Sequence, residues 1–201
     1  MIKKEDKDFI KSCFKILKEN HPEKFKIGNL STEIPQEMID KDNNEWKLIE
    51  SNVLEEDMVR LEKKFKVKLP ELYKAFISSY FYVFDKLEGI VDNYMDYDDY
   101  DIEVEIMNQT PDKPLDEIDN LFNEFKELLN FGYIPIGEVD SYGIMCFDVL
   151  NDYSLIWLDH EEYYQCESRD ELEEIAVVVF GDFRNFLECF FCGVKYVCED
   201  I

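Results

Sequence analysis

The sequence predicts an α+β domain, with helices first, strands after them and a helix to close. Three observations carry this. Apolar residues recur at helical spacing in the N-terminal third and again over residues 115–129. Short apolar runs, one strictly alternating, crowd into residues 102–158. The two kinds of segment are grouped rather than interleaved, which argues against a β-α-β parallel fold.

Phe9, Ile10, Cys13, Phe14 and Leu17 share one face of a first helix that ends near Pro22. Residues 27–44 are polar, with Gly28 and Pro35, and read as a connector; residues 1–44 are therefore expected as an N-terminal helical extension and residues 45–201 as the main domain. Leu54, Met58, Leu61 and Phe65 mark a second helix, with Glu55, Glu56 and Asp57 in its first turn, where the helix dipole favours negative charge. Pro70 suits the start of a third, whose apolar side is Leu72, Tyr73, Phe76, Ile77 and Tyr80. Beyond Gly89 an acidic Tyr/Asp stretch reads as a loop leading into a strand at 102–106, with Ile102, Val104 and Ile106 on one face. Leu115, Ile118, Leu121, Phe122, Phe125, Leu128 and Leu129 make one regular helix closed near Gly132. Residues 133–136, 144–149 and 153–158, separated by turn-like joints, read as an antiparallel meander. Phe183, Phe186, Leu187, Phe190 and Phe191 mark the final helix, and Trp46 and Trp157 read as core aromatics.

Length suits one domain with a sizeable core, and 16 Phe and 12 Tyr among the 201 residues exclude global disorder. The first residues carry no apolar h-region and no run is long enough to span a membrane, so a cytoplasmic, unanchored protein is expected. Charge is lopsided. Residues 1–70 hold 15 Lys/Arg against 15 Asp/Glu, and residues 71–201 hold 7 against 32, so the net charge of −25 lies in the C-terminal two-thirds. Such a field opposes nucleic acid and anionic lipid and favours a basic partner.

Six cysteines without an export signal are expected as reduced thiols. Cys189-Phe-Phe-Cys192 has C-x-x-C spacing but no second pair, and the two phenylalanines point to a buried helix face, so no metal and no cofactor are expected. His160, flanked by Asp159 and Glu161, could serve a base or a metal; without a nucleophile elbow, a P-loop or a dinucleotide fingerprint, the structural reading outweighs the catalytic one, and no enzyme is expected. Asp92, Asp96, Asp98, Asp99, Asp101, Glu103 and Glu105 fall within fourteen residues, interleaved with Tyr94, Tyr97 and Tyr100. This run is either a solvated loop or a docking surface, in which tyrosines give contact area and carboxylates speed encounter. It lacks the glycine of an EF-hand.

Several of these pieces together resemble the SUKH superfamily of toxin-immunity proteins and cell-wall-synthesis regulators. Glu62, Phe65, Leu69-Pro70, Tyr73 and Phe76 are similar to its helix–LP–helix opening. Residues 133–137 and 143–148 resemble its strand pair with an intervening glycine. Residues 153–158 running into Asp159-His160-Glu161 are similar to its next strand and turn, and residues 183–187 to its closing F-x-x-F-L helix. The resemblance implies a curved antiparallel sheet flanked by helices, with the N-terminal helix as an addition. It further implies a non-catalytic domain that binds a protein, either a cognate toxin or a cellular partner, and makes His160 a turn residue. Toxins that act on nucleic acid carry basic clefts, and an acidic inhibitor can pair with the same cations. The expected contact surface is Tyr94, Asp96, Tyr97, Asp98, Asp99, Tyr100 and Asp101, joined by Asp140, Asp159 and Glu161 at neighbouring strand ends.

Overall fold

The computed structural model describes residues 2–29, 33–92, 98–140 and 143–198. The chain forms two compact units, Met1–Asp85 with Met107–Asn120, and Lys86–Ile106 with Leu121–Ile201.

In the first unit, α1 (Lys4–Asn20) buries Ile10, Cys13, Phe14 and Leu17, the stripe set by its sequence period. Phe14 stacks on Phe76 with ring centroids 5.6 Å apart, and Phe25 stacks on Trp46 at 4.5 Å. Trp46 is fully buried, and its indole N–H donates to the Lys24 carbonyl at 3.1 Å. The connector carries a short strand of its own, β1 (Ile39–Asp40), which pairs antiparallel with β2 (Glu45–Trp46). β3 (Ile49–Glu50) precedes α2 (Glu55–Phe65) and α3 (Glu71–Ile77), and pairs antiparallel with β4 (Tyr80–Phe81). Tyr80 is thus a strand residue rather than part of the third helix. That helix stops at Ile77, where the Ser78 and Ser79 hydroxyls donate to the carbonyls of Lys74 and Ala75 and offer the last turn local partners.

The α2–α3 corner explains why Glu62 precedes Leu69-Pro70. One Glu62 oxygen accepts the Leu69 N–H at 2.8 Å and lies 2.8 Å from the Lys74 ammonium, which also meets Glu71 at 3.1 Å. Lys74 is 7% exposed. Burial alone would pull its pKa down; the hydrogen bonds to Glu62 and Glu71 outweigh this and hold it above the ordinary lysine value. Its contribution to stability is therefore present at neutral pH and is lost only as alkali deprotonates the ammonium. Glu62→Ala is expected to cost about 2 kcal/mol, read as a lower urea midpoint, because a buried N–H and half of a buried ion pair lose their acceptor.

α4 (Asp116–Glu124) runs out of the first unit and α5 (Lys126–Asn130) belongs to the second. The single helix expected over 115–129 is broken at Phe125 (φ −100°, ψ 35°), and both Phe125 and Leu128 pack against the sheet cluster that follows.

The second unit is built on a seven-stranded sheet. Its strands are β5 (Leu87–Asp92), β6 (Tyr100–Ile106), β7 (Tyr133–Val139), β8 (Gly143–Asp148), β9 (Ser154–Asp159), β10 (Val177–Phe180) and β11 (Tyr196–Val197). Their order is β10-β9-β8-β7-β6-β5-β11. All neighbours are antiparallel except β5 and β11, so the expected meander is present with one parallel edge. The outermost strands approach each other: the Tyr196 hydroxyl accepts the Gly181 N–H at 2.9 Å, and the Tyr196 and Phe180 rings lie 4.8 Å apart. The sheet thereby curves almost into a barrel, closed by side chains rather than by a strand pair.

Two helices cover one face of this sheet over β7–β10. Leu128 of α5 and Leu172 of α6 (Arg169–Ile175) pack with Tyr133, Ile144, Cys146, Ile156 and Leu158. α7 (Phe183–Cys192) lies on the other face, where Phe183 meets Phe147 and the Cys189 thiol and Phe190 ring sit beside Gly89. Asp148 closes the β8 motif for a reason: both its carboxylate oxygens accept from one guanidinium nitrogen of Arg169 (2.8 and 2.6 Å), and that guanidinium lies 4.0 Å over the Tyr133 ring and donates to the Phe131 carbonyl at 3.0 Å. Among the described residues, no helix is long and apolar enough to cross a membrane.

Candidate partner-binding surface

An antiparallel meander sends alternate strand ends to the same side. The end of β5, the start of β6, the end of β7, the start of β8 and the end of β9 therefore share one end of the sheet. That topology collects acidic residues far apart in sequence. Asp98, Asp99 and Asp101 are exposed at the start of β6, Asp140 follows β7, and Asp159 faces Gly143 across the β8–β9 pair with exposed Glu161 just beyond. The second unit as a whole holds 5 Lys/Arg against 26 Asp/Glu, a net −21 of the chain's −25. Tyr94, Asp96 and Tyr97, expected in the same surface, lie outside the described residues.

Some of these carboxylates serve the fold as well. Asp140 sits in the left-handed region (φ +50°), and its two oxygens accept the Glu103 N–H at 2.8 Å and the Tyr100 hydroxyl at 3.1 Å, fastening β6 to the end of β7. Asp159 accepts the Glu161 N–H at 2.7 Å, which makes Asp159-His160-Glu161 a side-chain-capped turn with His160 exposed on it. Lys195 bridges Asp92 (2.8 Å) and Asp99 (2.5 Å), tying the two ends of the β5–β6 connection, and both hydrogen bonds raise its pKa. Asp98 and Asp101 are exposed.

A second set of acidic residues escapes a reading by sequence runs. Registers Glu88↔Glu103 and Glu105↔Glu138 place like charges directly opposite one another, and period two puts Glu103 and Glu105 on one face. Glu88, Glu103, Glu105 and Glu138 therefore form a ladder across β5, β6 and β7, on the face that α5 and α6 cover further along. Lys86 lies within it, 2.8 Å from Glu103 and 3.8 Å from Glu105. The signal for β5 was Leu87, Gly89 and Val91 alternating inward. It was masked because Gly89 reads as a break and Ile90 is apolar on the outer face.

Like charges opposed across a ladder cost stability. Partial burial raises the Glu138 carboxyl above the usual carboxylate range, Glu105 and Glu124 push the same way, and His160 opposes them. A raised carboxyl penalises the fold once it ionises, so the penalty grows as pH rises through that range. Glu138→Gln is accordingly expected to raise stability at pH 7 by about 0.5 kcal/mol and to give no gain under acid, read from urea midpoints at the two pH values.

The six cysteines are reduced thiols outside any disulfide. Burial raises the pKa of Cys189 to about 11, the behaviour of a small core hydrophobe rather than a nucleophile or ligand. Among the described residues no group of three or more His, Cys, Asp or Glu is placed to hold a metal ion.

Comparison with protein families gives a match to the SMI1 / KNR4 family (SUKH-1) over residues 52–189. The chain belongs to the SUKH-1 family. The matched stretch opens just before α2 and ends within α7, so it takes in the Glu62–Leu69 corner, the β7–β9 meander and the capped Asp159 turn. A search of curated proteins finds no significant relative of this SUKH-1 chain.

Proposed function

We propose that this SUKH-1 chain is a non-catalytic cytoplasmic immunity protein, needing no cofactor, which neutralises a basic toxin domain by covering its active cleft. The observation that carries this reading is the concentration of −21 in the second unit, with acidic strand ends gathered at one end of its sheet. Such a surface takes the place of the phosphates that a nucleic-acid-targeting toxin would hold, and complementary fields raise association rates by about 10–10³-fold. Asp98, Asp99, Asp101, Asp159 and Glu161 are its proposed contacts, with Tyr94, Asp96 and Tyr97 from the same stretch. Tyr100 and Asp140 act chiefly by holding β6 against β7. Residues 1–44, outside the family match, are proposed to extend the core through α1 rather than to bind.

The test is co-purification with the protein encoded beside it, at low and high salt. Retention at low salt and loss at high salt supports the reading. Failure to co-purify at low salt contradicts it and leaves the alternative of a scaffold for a basic cellular protein.

A further inference from the structure

The sheet of the second unit is covered unevenly. Over β7–β10 its glutamate-bearing face lies under α5 and α6, through Leu128 and Leu172. Over β6, β5 and β11 described residues of the same face are exposed, and they are not merely acidic. Ile90 is 44% exposed and Val197 is 53% exposed. Registers place Ile90 beside Asp101 and Val197 beside Asp92, so each apolar side chain stands next to a carboxylate. Glu88 and Glu103 adjoin them on the same face. An apolar centre within a charged rim is the anatomy of a binding surface rather than of a solvated strand.

Width and charge narrow the occupant. Strands lie about 4.8 Å apart, so the axes of β11 and β6 are about 10 Å apart, the width of one α-helix of about 10–12 Å. Helices already cover the rest of this face, which shows the layer that its curvature accepts. A second copy would set −21 against −21, and nucleic acid or anionic lipid would meet the same repulsion. A helix with Leu or Ile on one stripe and Lys or Arg flanking it meets both the apolar centre and the rim.

We propose that the exposed part of this sheet face, over β11, β5 and β6, seats one basic amphipathic helix of the protein partner, with Ile90 and Val197 as its apolar contact and Glu88 and Asp101 pairing with its cations, beside the Lys86–Glu103 pair. This rests on the reading of the chain as a binder of basic proteins, and places the partner's main contact on the sheet face, beside the acidic strand ends.

The probe is a synthetic Leu/Lys/Ala peptide of about 18 residues, long enough to form a helix, against a scrambled isomer of equal charge with no apolar stripe. Both are titrated into the full chain at about 50 mM salt, where surface charges are only moderately screened, and followed by fluorescence anisotropy and amide chemical shifts. The amphipathic peptide is expected to bind on the order of 10-fold more tightly than the scrambled one, as covering two half-exposed aliphatic side chains implies. It should shift amides of residues 88–91, 101–104 and 197. The double variant Ile90→Ser, Val197→Ser, altered only at exposed positions, should erase that preference and leave the scrambled peptide's affinity unchanged. Equal affinity of the two peptides, or shifts confined to residues 98–100 and 159–161, overturns the helix seat while the acidic-end reading stands. No binding of either peptide overturns both.

Discussion

Gly137→Ala is expected to lower the stability of the second unit by about 3 kcal/mol or more. A Cβ on Gly137 would lie 2.2 Å from the backbone oxygen of Glu105. No side chain can swing aside there, so relief requires prising β6 from β7, the pair that carries the Glu105–Glu138 rung. The position also ends a register shift between Pro135 and Gly137, and pairing with β6 begins only at Gly137. Pro135, which has no N–H to give, therefore sits in β7 beyond the registered β6 pairs. Urea unfolding reads the effect, with Gly28→Ala as the control, since nothing lies within 4 Å of a Cβ there. A midpoint for Gly137→Ala equal to that of wild type would contradict the close approach.

Neutralising the exposed carboxylates at the sheet end should leave the fold intact and slow partner capture. The variant Asp98→Asn, Asp101→Asn, Glu161→Gln removes three charges from the cluster of strand ends without touching Asp99, which Lys195 bridges, or Asp140, whose oxygens hold β6 and β7 together. Association with the basic partner is expected to slow by about 10-fold or more at low salt, with dissociation changing less. Stopped-flow mixing measures it. Self-repulsion falls at the same time, so the variant's melting temperature should hold or rise. An unchanged association rate would place the contact elsewhere.

The sequence conveyed most of what helical and meander periodicity encode. The α1 stripe, the acidic start of α2, the β7–β9 meander and the α7 phenylalanines all lie where their spacing puts them, because each buries one continuous face. β5 was hidden by Gly89 and by Ile90 on its outer side. α6 was hidden because it buries Leu172 alone among acidic neighbours, and β10 because four apolar residues in a row show no period. The break at Phe125 is a tertiary demand, set by contacts with the sheet rather than by local preference. The candidate surface divides along the same line. A local run of Asp shows in sequence, whereas the Glu88–Glu103 and Glu105–Glu138 rungs exist only through strand register. Gly143 illustrates the same limit: a Cβ there would lie 1.4 Å from the Trp157 indole nitrogen, a contact made across the β8–β9 pair.

The most direct test of the proposed non-catalytic neutralisation is a titration of a co-purifying toxin domain's activity with this protein, followed by intact-mass measurement of both chains. Occlusion predicts a sharp stoichiometric end point, full recovery of toxin activity when salt separates the pair, and unchanged masses. Loss of toxin activity at a small fraction of one equivalent, or a changed toxin mass, would contradict it.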